Sequence, residues 1–467
     1  MVGPRRGISE ASESSDVRVT GPGQRLRSRG PARSGSPRGN PKPPPRPAAA
    51  VPRSRAPRDR DLDAESIQRY RVGRRSAASS RCGDQATTQP WRPALSAGKI
   101  HSIEAIAVDI PLSRNFGGST YSVLKRSTVV TRLRTTDGLV GQVYNGDNRV
   151  HGPEIAHLVR DVLAPQVAGL AIMEGERIWE RCFALTHTAG MSRPLLMEAV
   201  ACVDCAVWDA VGKALGQPVR ALLGGYRERL PIISIGGYYM EGKTLADIGR
   251  EMEAYRAAGM AGCKFKIGGL APEADLERVT AARKAAGPDF VLMVDANRGW
   301  SAEEAIRFAR LAEPLDLRWF EEPCHWHDDA TMMARVRRAT RIPVTAGQSE
   351  ITSHGVRRLL DAAAVDLVNF DASEGGGVTE WRRAAALCAA ADVDMAHHEE
   401  SQIARHLLAG VRHGTYVECF ADPARDPVWQ TMWANRPTPR DGWFDAGSEA
   451  GFGILLDEGM LERYRVG

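Results

Sequence analysis

The sequence predicts an α/β protein: a (β/α)8 barrel over residues 226–436, an α+β capping domain over 99–225 completed by 437–467, and a disordered basic extension over 1–98. Three observations lead to the barrel. Eight short apolar runs follow one another: "PIISIGGYY", "GCKFKIGG", "FVLMVDAN", "LRWFEEP", "IPVTAGQSE", "VDLVNFDAS", "VDMAHHEE" and "TYVECF". A helical pattern such as "SAEEAIRFARLA" fills nearly every interval. The polar residues closing the second to eighth runs fall at 264, 295, 321, 348, 371, 398 and 418, and gaps of 31, 26, 27, 23, 27 and 20 residues each fit one helix, one strand and two short loops.

A chain of 467 residues with 43% hydrophobic and 25% charged residues has room for two or three domains and a large core. Its formal charge of +5 is unevenly spread: residues 1–100 carry 21 Lys and Arg against 8 Asp and Glu, a balance of +13, which leaves −8 for the rest. That head includes "RLRSRGPARSGSPRGNPKPPPRPAAAVPRSRAPRDRD", which nearly lacks apolar periodicity and cannot bury enough surface to offset the entropy of ordering. It has neither aromatic interleaving nor a nucleic-acid motif, so no nucleic-acid partner is expected despite its charge. Arg5-Arg6 is not followed by the apolar segment of a secretory signal, and no run of about 18 apolar residues suggests a membrane span. The eight cysteines are scattered, several in apolar segments, as expected of reduced core thiols in a cytoplasmic protein. Cys202 and Cys205 form a C-x-x-C, but within the helical pattern "LLMEAVACVDCAVWDAVGKAL" and with no second pair at zinc spacing, so core packing is the expected role. A homo-oligomer is expected.

In chain order, apolar runs at 102–110 and 127–133, then "GLVGQVYNG", predict a small antiparallel meander. Helical segments follow around 151–164 and 174–182, and a helix over 197–215 ends at Gly216 with Pro218 beyond. The barrel's last helix is shortened, and "PRDGWFDAGSEAGFGILLDEGMLERY" is expected to return to the first domain.

The second barrel strand poses a question, because Lys264-Phe265-Lys266 puts two ammonium groups on one face. Alone, the pair fits a solvated edge strand as well as a site. The other strand ends decide it: Asp295 and Asn297, Glu321 and Glu322, Gln348 and Glu350, Asp371, His397 and His398, and Glu418. Barrel enzymes carry their chemistry at the C-terminal ends of strands. Burying this many ionisable groups without a function would cost several kcal/mol per unpaired charge. Asp295 and Glu321, with Gln348 or Glu350, offer an all-oxygen cage suited to Mg²⁺. Beside a substrate carboxylate, that ion stabilises the enediolate that forms when an α-proton is removed. Lys266 and His398 would flank that carbon as bases, and Asp371 would orient His398. Lys264 and the metal are expected to push the Lys266 pKa down.

As an ordered set, "KFK", "VDAN", "FEEP", "DLVNFDASEGGGVTEW", "MAHHEESQIARHLLAG" and "VECF" resemble the enolase superfamily in its mandelate racemase branch, over nearly all of residues 99–467. The resemblance implies Lys266 as lysine base and Lys264 as a lysine binding the substrate carboxylate. It implies Asp295 and Glu321 as the first two Mg²⁺ ligands, Asp371 and His398 as the His–Asp dyad, Glu418 as an acid bonded to the substrate carboxylate, and Asn297 as a substrate contact. The sequence departs from the pattern at Gln348, which stands where the family has its third metal-ligand glutamate; an amide oxygen or Glu350 would then complete the cage. Only one of His397 and His398 can face the barrel, and the spacing to "HLLAG" favours His398.

The family's cap closes over the substrate with two loops, which by resemblance are "PLSRNFGGSTYSVLKR" and "QVYNGDNRVHG", offering Arg114, Tyr121, Lys125, Tyr144, Asn145 and Arg149 as contacts. His325 and His327 in "CHWHDD" could add polar contacts. Polar loops of this kind suit an acid sugar, an aldonate or aldarate. Dehydration to a 2-keto-3-deoxy acid is therefore the expected reaction, with racemisation or epimerisation of a 2-hydroxy acid by the same bases as the alternative.

Overall fold

The lysine strand lies in the interior of a sheet, and the surroundings explain why. In the computed structural model, which describes residues 98–147, 150–325, 327 and 329–466, β5 (Gly262–Lys266) is buried at every position. It pairs in parallel with β4 (Arg229–Gly236) on one side and β6 (Val291–Asp295) on the other. Cys263 and Phe265 pack outward into the main core, while Lys264 and Lys266 take the opposite face. The solvated-edge alternative is thereby removed. Residues 1–97 and Arg149 lie outside the described residues, and with them the expected extension and one expected cap contact.

The sheet continues through β7 (Phe320–Glu321), β8 (Val344–Ala346), β9 (Leu367–Val368) and β10 (Asp394–Met395), while β11 (Val417–Cys419) flanks β4. Met395 closes the ring, donating to His413 O at 2.8 Å and accepting from Thr415 N at 2.9 Å just ahead of β11. These are the eight strands expected, joined by helices Leu245–Ala257, Pro272–Ala286, Ala302–Ala312, Asp329–Ala339, Ser353–Asp361, Val378–Ala390 and Ser401–Gly410. Local sequence sets the helix starts: Thr244 with Asp247, and Ser301 with Glu304, form capping boxes that satisfy otherwise orphaned N–H groups. After β11 a five-residue π-helical turn, Val428–Met432, stands in place of an eighth barrel helix. Ile233, Met293, Trp319, Leu367 and Ala396 pack together as an apolar cluster.

The cap is an antiparallel meander of β1 (Ile100–Gly117), β2 (Ser122–Thr135) and β3 (Val140–Asn145), longer than the sequence pattern indicated. Its long helix, Arg193–Leu215, stops where Gly216 turns left-handed at φ +64°. The C-terminal tail touches both regions: β12 (Trp443–Asp445) pairs with β4, and β13 (Arg465–Val466) pairs with β1. At the end of β1, Gly117 and Tyr239 exchange backbone hydrogen bonds, which pins the first cap loop over the mouth of the barrel. The seven described cysteines are all buried. No helix among the described residues is long and apolar enough to cross a membrane.

Candidate active site

Three successive parallel strands bring the first half of the site together. Asp295 and Glu321 are register partners on β6 and β7, as Lys266 and Asp295 are on β5 and β6, so their side chains share a face. The Lys264 ammonium, fully buried, donates to Glu321 Oε1 at 2.8 Å and to Glu418 Oε2 at 2.9 Å, with Asp295 Oδ2 at 3.9 Å. Lys266 donates to Asp295 Oδ2 at 2.7 Å and to Asn297 Oδ1 at 2.9 Å. Trp319 Nε1 donates to the second Glu321 oxygen at 3.1 Å, which fixes that carboxylate from below. The Tyr121 hydroxyl, from the cap, donates to Asn297 Oδ1 at 3.2 Å, and its ring centre lies 5.8 Å from Lys266 Nζ.

Charge in this half is tightly coupled. Burial disfavours the Lys264 ammonium, but Glu321, Glu418 and Asp295 outweigh it and hold the pKa above the ordinary lysine value. Burial pushes Glu321 up to about 8 although Lys264 opposes the shift. Asp295 is carried the other way, to about 2, because Lys266 and Lys264 together exceed its burial cost. Among the chain's own groups, the Lys266 pKa is raised well above the ordinary value. Burial does favour the neutral amine, but the Asp295 carboxylate 2.7 Å away more than compensates.

The third position of the expected cage is also clearer. β8 ends at Ala346, and Gly347, at φ +138°, turns the chain, so Gln348 and Glu350 do not continue the strand alternation. The Glu350 carboxylate pairs with Arg358 at 3.0 Å and packs on Gly355, where any Cβ would collide with it. Gln348 points elsewhere: its Nε2 donates to Glu322 Oε2 at 3.1 Å and its Oε1 accepts from Asn369 Nδ2 at 3.2 Å. Glu322 also accepts from Ser349 Oγ at 2.7 Å and pairs with Arg298 at 3.2 Å, and its backbone is left-handed at φ +38°. It anchors the nitrogen end of the Gln348 amide. No sequence signal singled out this anchoring role.

The second half lies beyond β9–β11. His398 Nδ1 is 3.0 Å from Asp371 Oδ2, and its Nε2 is 3.5 Å from Glu399 Oε1. Burial pulls the imidazole pKa down, yet Glu399 and Asp371 outweigh it and hold it well above the ordinary histidine value. His397 is fully buried, with Nε2 accepting from Ala372 N at 3.0 Å and Nδ1 bonded to His398 O, and burial lowers its pKa. Glu399 N donates to Glu418 Oε2 at 2.9 Å, which ties this half to the lysine half.

The remaining sequence candidates lie farther out. Arg114 is half-exposed and pairs with Asp422, and Lys125 pairs with Asp109. Tyr144 is packed in the core, and Asn145 donates to Ser373 Oγ at 3.0 Å. His325 donates from its backbone to Trp300 O, and its ring lies 4.6 Å from that of His327.

Comparison with known proteins accounts for this layout. Residues 102–224 match the family model for the mandelate racemase/muconate lactonizing enzyme N-terminal domain, and residues 247–460 match that for the enolase C-terminal domain-like fold. The chain belongs to the mandelate racemase/muconate lactonizing enzyme family of the enolase superfamily. It is 31% identical to the 3,6-anhydro-α-L-galactonate cycloisomerase of Streptomyces coelicolor, over 78% of this chain and 100% of that one. It is 27% identical to the arabinonate dehydratase of Saccharolobus solfataricus, over 72% of this chain and 90% of that one. A family member from a marine actinobacterium, crystallised with magnesium, is 42% identical with a TM-score of 0.74, covering 79% of this chain and 100% of that one. Enolase superfamily members are enzymes, and these relatives include a lyase and a cycloisomerase.

Proposed function

We propose that the chain is a Mg²⁺-dependent acid-sugar dehydratase, removing the proton α to a carboxylate and expelling the β-hydroxyl to give a 2-keto-3-deoxy acid. The observation that carries this reading is the convergence, on one buried network, of Lys264, Lys266, Asp295, Glu321 and Glu418 with the His398–Asp371 pair.

The donor set fits a hard divalent cation. Asp295 and Glu321 present oxygens from register partners, and among the described residues their buried negative charge is balanced by ammonium groups. Asp295, Glu321 and the Gln348 amide oxygen would hold Mg²⁺, with Glu322 fixing the amide; Glu350, committed to Arg358, is left out. Held there, the ion would supply positive charge beside the substrate carboxylate as the α-proton leaves.

The chain's own groups do the rest. Lys264, with Glu418, meets the substrate carboxylate. Asp371 on Nδ1 leaves His398 Nε2 facing the site. A histidine held protonated at neutral pH is suited to give a proton to the departing β-hydroxyl, which favours dehydration over racemisation. Lys266, beside Asn297 and Tyr121, would take the α-proton on the other side as the neutral amine, which the Asp295 carboxylate no longer opposes once it is committed to the cation. The test is incubation with a panel of aldonates and aldarates plus Mg²⁺, assayed with semicarbazide for a 2-keto-3-deoxy acid. Epimerised substrate without keto acid would replace dehydratase by racemase.

A further inference from the structure

Above His398 the cap and the barrel meet in a dense buried charge network. Asp147, from the loop after β3, accepts from Arg425 Nη2 at 2.6 Å and lies 3.1 Å from Arg126 Nη1. Arg126 also meets Glu400 at 3.4 Å and Asp426 at 3.0 Å. Glu399, whose carboxyl neighbours His398 Nε2, shares a hydrogen bond with Asp147 and lies in the field of both Arg425 and Lys266. Glu399 thus joins the two bases to this network.

Two polar side chains here keep donors without an acceptor among the described residues. Arg425 is 1% exposed, yet its Nε and Nη1 have no acceptor among the described residues, and neither does the hydroxyl of Tyr238, 3% exposed. The Arg425 guanidinium lies 4.0 Å over the Phe420 ring and 5.6 Å from the Tyr238 ring, and Tyr238 is braced edge-on by Phe116 of the cap at 5.5 Å. Tyr238 is also in electrostatic range of Lys266, Tyr121 and Glu399. Leaving buried donors unpaired costs about 1–3 kcal/mol each, so this arrangement suits a partner that arrives from outside the chain.

Resting on the function proposed above, we infer that Arg425 and Tyr238 form the distal subsite of the substrate pocket, and that it binds the neutral hydroxyls of an aldonate and excludes the second carboxylate of an aldarate. The charge count carries the second half of this statement. The two guanidiniums, Arg126 and Arg425, are already met by the carboxylates of Asp147, Glu400 and Asp426, and Arg425 also by the Glu399 carboxyl, which burial pushes up to about 8. The nearby Arg114 is paired with Asp422. A second substrate carboxylate would enter beside the charged Asp147 with no uncompensated cation among the described residues, a like-charge contact. Hydroxyls accept from Arg425 and Tyr238 and donate to the carboxylates without that penalty.

The test uses the full chain with Mg²⁺ and matched pairs of pentonates with pentarates and hexonates with hexarates. Both keto-acid formation and C2 proton exchange in D₂O are followed. Aldonates are expected to exceed their aldarate partners in kcat/KM by at least about a hundredfold. Tyr238→Phe is expected to raise the aldonate KM about tenfold while kcat stays within a few-fold, since one hydrogen bond to a buried donor is lost. Aldarates handled as well as aldonates, or an unchanged KM in Tyr238→Phe, would overturn the inference and leave the dehydratase reading standing. No C2 exchange with any acid of either class would overturn both.

Discussion

The two halves of the site are built by different means. On the β5–β7 side Lys264, Lys266, Asp295 and Glu321 sit on neighbouring strands in register, and each carboxylate is held by a lysine of the same sheet. On the β10–β11 side His398, Glu399 and Arg425 lie past the strand ends; Glu399 and Glu400 both adopt left-handed backbone at φ +48°, and the partner Asp147 comes from the cap. The barrel therefore supplies the charged groups of the first half, with Tyr121 of the cap added to it, and the closing of cap on barrel defines the second. Damage to the first should appear as lost stability and lost metal response, and damage to the second as altered pH dependence and substrate choice.

The largest expected effect ignores the difference between the halves. Lys266→Ala and His398→Asn, one from each side, should each lower kcat on a good acid-sugar substrate by about 10²–10⁴-fold in steady-state kinetics. Wild-type turnover in either variant would break the assignment of that half. Next comes stability. Glu321→Ala takes a partner from buried Lys264 and from Trp319, and should destabilise by about 3–5 kcal/mol and remove the rise in Tm that Mg²⁺ gives. His398→Asn should keep that rise, and equal responses of the two variants would erase the proposed division.

A subtler effect is the pH profile. His398 has a raised folded-state pKa, so its contribution to stability is complete below the ordinary histidine value and fades as pH rises through the raised one. Asp371→Asn removes one of the groups that raise it. The alkaline limb of kcat should move to lower pH, and the loss of stability should be greater near pH 6 than near pH 9. A limb that stays in place would mean that Asp371 does not tune the histidine. The smallest effect belongs to Glu350→Gln: its pair with the exposed Arg358 is worth at most about 1 kcal/mol, and the Mg²⁺ response should survive. Gln348→Ala should weaken that response in a thermal titration with Mg²⁺.

The same division marks what the sequence reveals. Strand periodicity exposed the eight barrel strands, and alternation within β5 put Lys264 and Lys266 on one face, because side-chain direction in a strand follows from position alone. That rule failed at "TAGQSE", where Gly347 ends the alternation and Glu350 turns to Arg358. The Asp147–Arg425 pair joins two loops 278 residues apart, and no local pattern reports such a meeting. Tyr238, at the end of the first barrel run, has the pattern of an apolar strand residue, which gives no sign that its hydroxyl has no partner among the described residues.

The central claim is that the strand ends form one metal-dependent site for removing an α-proton. Proton NMR of an aldonate incubated with the protein in D₂O, with Mg²⁺ or with EDTA, tests it most directly. Loss of the C2–H signal is expected with Mg²⁺, and no loss with EDTA or in a Lys266→Ala/His398→Asn double variant. Exchange at an undiminished rate in EDTA or in the double variant would contradict it.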